Sequence, residues 1–132
     1  MLAWISVILA TVAAFALGAG WYGKLAGPWM RAAKVPVGAD GKPKGSSNPM
    51  LYVIAFGLQL LVAGMMRHVF ALSGIDSIFA GLVAGLGIGL FFITPWIALN
   101  NLYGQRPLTL TLIDGGYAAL GCAVMGAVLG LF

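Results

Sequence analysis

The chain predicts an all-α fold, an integral membrane bundle of four helices. Three observations lead there. Hydrophobic residues make up 61% of the 132 and charged residues 8%, against about 25% charged in a soluble domain. The apolar residues gather into four stretches of roughly 20 residues, the length that crosses a hydrocarbon core about 30 Å thick. Polar residues are confined to the gaps between these stretches. Too little polar surface remains to coat a water-soluble core, so the bilayer must solvate the outer face.

The first span covers Leu2 to Tyr22. No Lys or Arg precedes Lys24, so it lacks the basic start of a secretory leader and reads as an uncleaved helix. The second span covers Met50 to Leu72, the third Ser77 to Leu99 and the fourth Leu108 to Leu131, all within one domain. Between the second and third spans only Ser73, Gly74, Ile75 and Asp76 remain. Gly74 suits the left-handed residue that ends a helix, and Asp76 or Ser77 suits the cap that starts one. A turn this short predicts that the second and third spans are antiparallel neighbours.

The loop of residues 23–49 divides in two. Gly27-Pro28-Trp29-Met30-Arg31-Ala32-Ala33-Lys34 predicts a short interfacial helix near residues 28–35, with Pro28 in its first position. Arg31 and Lys34 would then face lipid headgroups. The segment from Val37 to Asn48 is rich in Gly, Ser, Pro and Lys and predicts a flexible tether.

Charge sets the orientation. Four spans put residues 23–49 and 100–107 on one side and both termini on the other. The first side carries Lys24, Arg31, Lys34, Lys42, Lys44 and Arg106; the other carries only Arg67. Positive loops stay inside, so these loops are expected in the cytoplasm of a bacterium and the termini in the periplasm. The net charge of +4 belongs to headgroup contact, and no nucleic-acid partner is expected.

Small residues mark the packing faces. Gly81, Gly85 and Gly89 form a stripe on the third span, and Gly126 and Gly130 form one on the fourth. Ala14 and Gly18 do the same on the first. Such stripes let backbones approach closely within a bilayer. They serve packing within the monomer, contact with other membrane subunits, or a homo-oligomer. Pro95 predicts a kink in the third span, with Thr94 able to satisfy backbone groups nearby. Tyr22-Gly23-Lys24…Pro28 and Tyr103-Gly104-Gln105-Arg106-Pro107 echo each other, as two related helical hairpins would.

Asp114 is the polar residue placed at greatest cost. Thr111 and Tyr117 share its helix face. Arg106, Lys24, Tyr22 and Asn101 belong to the same end of the bundle, and a clamp from Asp114 to Arg106 or Lys24 is expected; the alternative is a proton or cation site, or an anchor for a polar ligand head. Arg67 is expected to snorkel or to pair with Asp76. His68 and Cys122 are single residues of their types and there is no glutamate. A structural zinc site needs about four ligands, so neither a metal site nor a bound cofactor is expected. No paired acid and base stands out for enzymatic chemistry.

Gly20-Trp21-Tyr22, Gly27-Pro28-Trp29-Met30, Leu112-Ile113-Asp114-Gly115-Gly116-Tyr117 and the closing Met125-Gly126-Ala127-Val128-Leu129-Gly130 resemble a bacterial family of small four-helix membrane proteins, domain of unknown function 1761. The resemblance implies the four-helix architecture and carries no activity. The expected function is a non-enzymatic accessory or scaffold subunit of a larger inner-membrane complex. The alternatives are a small oligomeric transporter or channel, and a carrier of an apolar ligand such as a quinone, isoprenoid or pigment held near Trp96 and Pro95.

Overall fold

The computed structural model describes residues 2–132. Helix α1 spans Leu2–Lys24 and α2 spans Ala26–Ala33. Helix α3 spans Pro49–Ser73, α4 spans Ile78–Ile88 and α5 spans Thr94–Tyr103, with a π turn at Gly89–Ile93 between the last two. Helix α6 spans Leu108–Gly130. The four stretches Ala3–Lys24, Pro49–Ser73, Ile78–Tyr103 and Leu108–Gly130 are long and apolar enough to cross a membrane. The protein is an all-α, multi-pass membrane bundle.

Local chemistry sets several helix ends. Asn48 caps α3 by accepting from the Met50 N–H at 3.0 Å, and Pro49 opens the helix where its missing N–H has no bond to lose. Gly74 ends α3 at φ 70°, and Ser77 Oγ accepts from the Ala80 N–H at 3.1 Å to start α4. Inside α1, Ser6 donates to the Ala3 carbonyl and Thr11 to the Val7 carbonyl. Both hydroxyls are thereby satisfied within their own helix, as burial in the bundle requires.

Helix α6 is the centre. Half of its span is buried, against 28% of α1 and 11% each of α3 and of α4 to α5. Its broadest interface is with α4. There Gly81 meets the Gly126 backbone, Gly85 meets Cys122 and Ala123, Gly89 meets Ala118 and Ala119, and Gly130 meets Ser77 and Ile78. A β-carbon at any of these four would run into backbone. The glycine stripes of the third and fourth spans therefore face each other within the chain.

The short turn does not make α3 and α4 neighbours along their length. Helix α3 packs on α1 and touches α6, and α4 packs on α6. The reason lies in the side chains. Ala63, Met66 and Phe70 of α3 bury against Val7, Ala10 and Ala14 of α1 and Cys122, Met125 and Leu129 of α6. Small residues on α4 have already matched it to α6. The bundle is an open layer, with α3 and α4 to α5 joined at the turn and parted beyond it.

Three further expectations need correction. Pro28 sits third in α2 rather than first; the first backbone bond there is Trp29 N–H to Leu25 C=O, so the proline still forfeits nothing. The expected tether is a folded hairpin. Gly38 N–H bonds Lys42 C=O at 2.7 Å and Lys44 N–H bonds Pro36 C=O at 2.9 Å, around Asp40 and Gly41. Asp40 accepts from the Lys42 N–H, and Gly41 takes φ 77°. The break at Pro95 takes the form of a π turn just before it. Thr94 Oγ1 stands 2.7 Å from the Gly89 carbonyl and 3.0 Å from the Gly115 carbonyl, so its single hydrogen serves one of the two at a time and ties the turn to α6.

Candidate functional site

The polar side chains meet on the half of the bundle nearer the basic loops. Helices α1 and α6 approach closely because small residues leave room for two aromatic rings. Trp21 lies over Gly116, where a β-carbon would come within 2.8 Å of its ring, and its indole N–H donates to the Ile113 carbonyl at 2.9 Å. Tyr117 lies over Gly18, where a β-carbon would stand 2.7 Å from its hydroxyl. The glycines of Asp114-Gly115-Gly116-Tyr117 are thus required by what packs on them: Thr94 on Gly115, Trp21 on Gly116.

Asp114 is half-buried, and its carboxylate accepts from the Tyr22 hydroxyl at 2.7 Å. Trp29 packs edge-on to the Tyr22 ring, centroids 6.0 Å apart, and turns toward the same carboxylate. Tyr22 also meets Tyr117 edge-on at 5.4 Å. The expected clamp to Arg106 or Lys24 is absent: both bases are exposed, and the carboxylate's hydrogen-bond partner is an uncharged phenol. Long basic side chains at a helix end reach headgroups more cheaply than they desolvate beside a buried carboxylate.

Of the predicted cluster, Asp114, Tyr22 and Tyr117 come together. Asn101 stands apart and donates from Nδ2 to Thr111 Oγ1 at 3.0 Å, tying α5 to α6. Arg67 and Asp76 form no ion pair. Trp96 is 67% exposed and Tyr103 79%, both on the outer surface, so Trp96 contributes nothing to an internal site. Tyr22 and Tyr103, matched in the sequence echo, occupy opposite environments. Arg31 and Lys34 are exposed, and Arg31 lines a depression of about 330 Å³ with Pro28, Ala32, Pro107 and Thr109, beside the start of α6.

Gln59 was not singled out from the sequence. It lies ten residues into α3, where an amide is out of place among Phe56, Leu58, Leu60 and Leu61. Its Nε2 donates to the Tyr117 hydroxyl at 2.7 Å, and that hydroxyl donates to the Ala14 carbonyl at 2.7 Å. One chain of bonds thus joins α3, α6 and α1. The Gln59 Oε1 atom is buried with no partner. Beside it, where α3 parts from the π turn, is a cavity of about 110 Å³. Its walls are Gln59 and Val62 of α3 and Ile93 of the π turn; Tyr117, Cys122 and Met125 of α6 form the floor. The lining is almost wholly apolar, and the cavity is not sealed. Among the described residues no group of His, Cys, Asp or Glu is placed to hold a metal ion.

The fold and this polar network define a small multi-pass membrane protein whose first and last spans are interlocked by the very segments that the sequence marks most strongly. The chain belongs to the family described as Protein of unknown function (DUF1761), whose model matches residues 5–130. No curated protein and no solved structure matches the chain.

Proposed function

We propose that the protein binds a lipophilic molecule taken sideways from the bilayer, without chemistry on it. The observation that carries this reading is the cavity between α3 and the π turn. Gln59 lies ten residues after Pro49, about 15 Å along α3 at ~1.5 Å per residue. That is the middle of a core about 30 Å thick. Bundle interiors between helices are where such proteins build ligand sites, and π turns frequently mark them. The parting of α3 from α4 and α5 supplies a route from the lipid.

In this reading the basic loops lie in the cytoplasm and the termini in the periplasm of a bacterial inner membrane, following the bias in Lys and Arg. The accessory-subunit reading keeps one supporting observation, the broad exposed faces of α3 and α4 to α5, including Leu58, Leu61, Phe79 and Phe91. Its other support, spare glycine faces, is taken up by the contact of α4 with α6.

Purification from native membranes in mild detergent, with organic extraction and mass spectrometry, tests both readings. A lipophile retained in stoichiometric amount and lost on filling the cavity with Cys122→Phe supports binding. Stoichiometric foreign membrane subunits with no such lipophile would replace it with the accessory reading.

A further inference from the structure

The bond chain at Gln59 has only one possible direction. A backbone carbonyl accepts and cannot donate, so the Tyr117 hydroxyl must spend its single hydrogen on Ala14 O. Its oxygen can then only accept from Gln59, which places Nε2 toward Tyr117 and leaves Oε1 as the buried atom without a partner. The amide orientation is fixed by the Ala14 carbonyl rather than by choice. The unmet valence of the side chain that lines this cavity is an acceptor.

A buried acceptor left unpaired costs about 1–3 kcal/mol. Water is a poor remedy, because a held water needs about 2–4 polar partners; the one other hydroxyl on the lining, Tyr117, already donates to Ala14 and accepts from Gln59, and Val62, Ile93 and Met125 offer none. A charged group is excluded by depth. The occupant that meets these conditions is uncharged and apolar except for one donor.

Resting on the binding reading above, we infer that the cavity takes the hydroxyl end of a long-chain lipophilic alcohol, which donates to Gln59 Oε1 while its chain leaves between α3 and the π turn into the bilayer. An oxidised quinone, which only accepts, would leave Oε1 unpaired and is selected against. In this proposal the Gln59 amide turns so that Oε1 reaches the cavity that the side chain already lines.

The test is binding of geranylgeraniol and of its methyl ether to the full chain in detergent micelles, followed by native mass spectrometry. The wild type is expected to bind the alcohol about tenfold more tightly than the ether, the ratio that one net hydrogen bond of about 1.4 kcal/mol supplies. Gln59→Met is expected to bring that ratio close to one while ether binding persists. Equal binding of alcohol and ether to the wild type would overturn the donor inference and leave the site reading standing. Binding of neither would overturn both. An alcohol preference that survives in Gln59→Met would show that Gln59 is not the acceptor. The comparison of the two ligands on the wild type needs no variant to fold.

Discussion

The two halves of this bundle solve the same problem by different means. At the turn half, α4 and α6 touch backbone to backbone through Gly81, Gly85, Gly126 and Gly130, and α3 closes the other side with Ala63, Met66 and Phe70. At the basic-loop half the helices are joined by Trp21, Tyr22, Asn101, Thr111, Asp114 and Tyr117 through directed bonds. Lipid removes the hydrophobic force between helices, leaving van der Waals packing and hydrogen bonds. The first half relies on packing and the second on hydrogen bonds. The cavity beside Gln59 lies where that backbone contact gives way to hydrogen bonding.

The comparison breaks most sharply at the turn half. Gly85→Leu drives a side chain into the Cys122 carbonyl and the Ala123 backbone, neither of which can yield without moving α6. Overpacking a close contact costs about 1–3 kcal/mol and sometimes more. The largest loss of thermal stability in detergent is expected here, with Gly126→Leu comparable and Gly87→Leu, which meets open space, close to wild type. Similar melting of Gly85→Leu and Gly87→Leu would mean that the α4–α6 contact is not what holds this half.

On the other half, Tyr117→Phe removes both bonds of the chain from α3 to α1. A bond of this kind within a bilayer is worth about 0.6 kcal/mol on average and up to ~1.7, so a loss of about 1–2 kcal/mol is expected. Gln59→Leu on top of Tyr117→Phe should add little, because the shared bond is already gone. Fully additive losses in this double-mutant cycle would dissolve the network into independent residues.

Much of the first half was legible from residue order alone. Gly74 and Ser77 end and begin helices by local backbone chemistry, and the glycine stripes follow from spacing on one helix. Which stripe meets which is not local. The short turn argued for α3 beside α4, but a turn fixes only one end, and the small residues of α4 fit α6 better than they fit α3. The hairpin at Asp40 and Gly41 was hidden because the surrounding Gly, Ser and Lys speak for disorder, while Asp-Gly is itself a turn signal. Gln59 escaped for a different reason. Gln59 carries no charge and stands singly in a strongly apolar stretch, yet a polar amide at that depth finds its partner across the bundle. For Asp114, too, charge is the wrong guide: the uncharged Tyr22 hydroxyl takes the place expected for Arg106 or Lys24.

Asp114 sharpens the comparison by separating charge from hydrogen bonding. Asp114→Asn keeps an oxygen that accepts from Tyr22, so a loss below about 1 kcal/mol is expected. Asp114→Leu strands the Tyr22 hydroxyl and should cost about 1–3 kcal/mol. Equal losses for the two, measured by melting in detergent, would mean that the carboxylate's charge, rather than its acceptor oxygen, holds α1 to α6.

The smallest effect belongs to the bases themselves. Lys24 and Arg106 are exposed and stand outside the carboxylate's hydrogen bonding, and exposed charges near a surface contribute little to stability. Lys24→Gln and Arg106→Gln should melt with the wild type. On the proposed orientation, their work is done before folding is complete, when an excess of Lys and Arg on these loops would select the side on which they remain. Removing both, together with Lys42 and Lys44, should therefore leave melting unchanged while shifting the orientation of inserted chains, read by cysteine accessibility from either side of the membrane. A loss of stability on removing Arg106 alone would instead restore the ion-pair clamp at Asp114 and make the basic-loop half depend on charge as well as on hydrogen bonds.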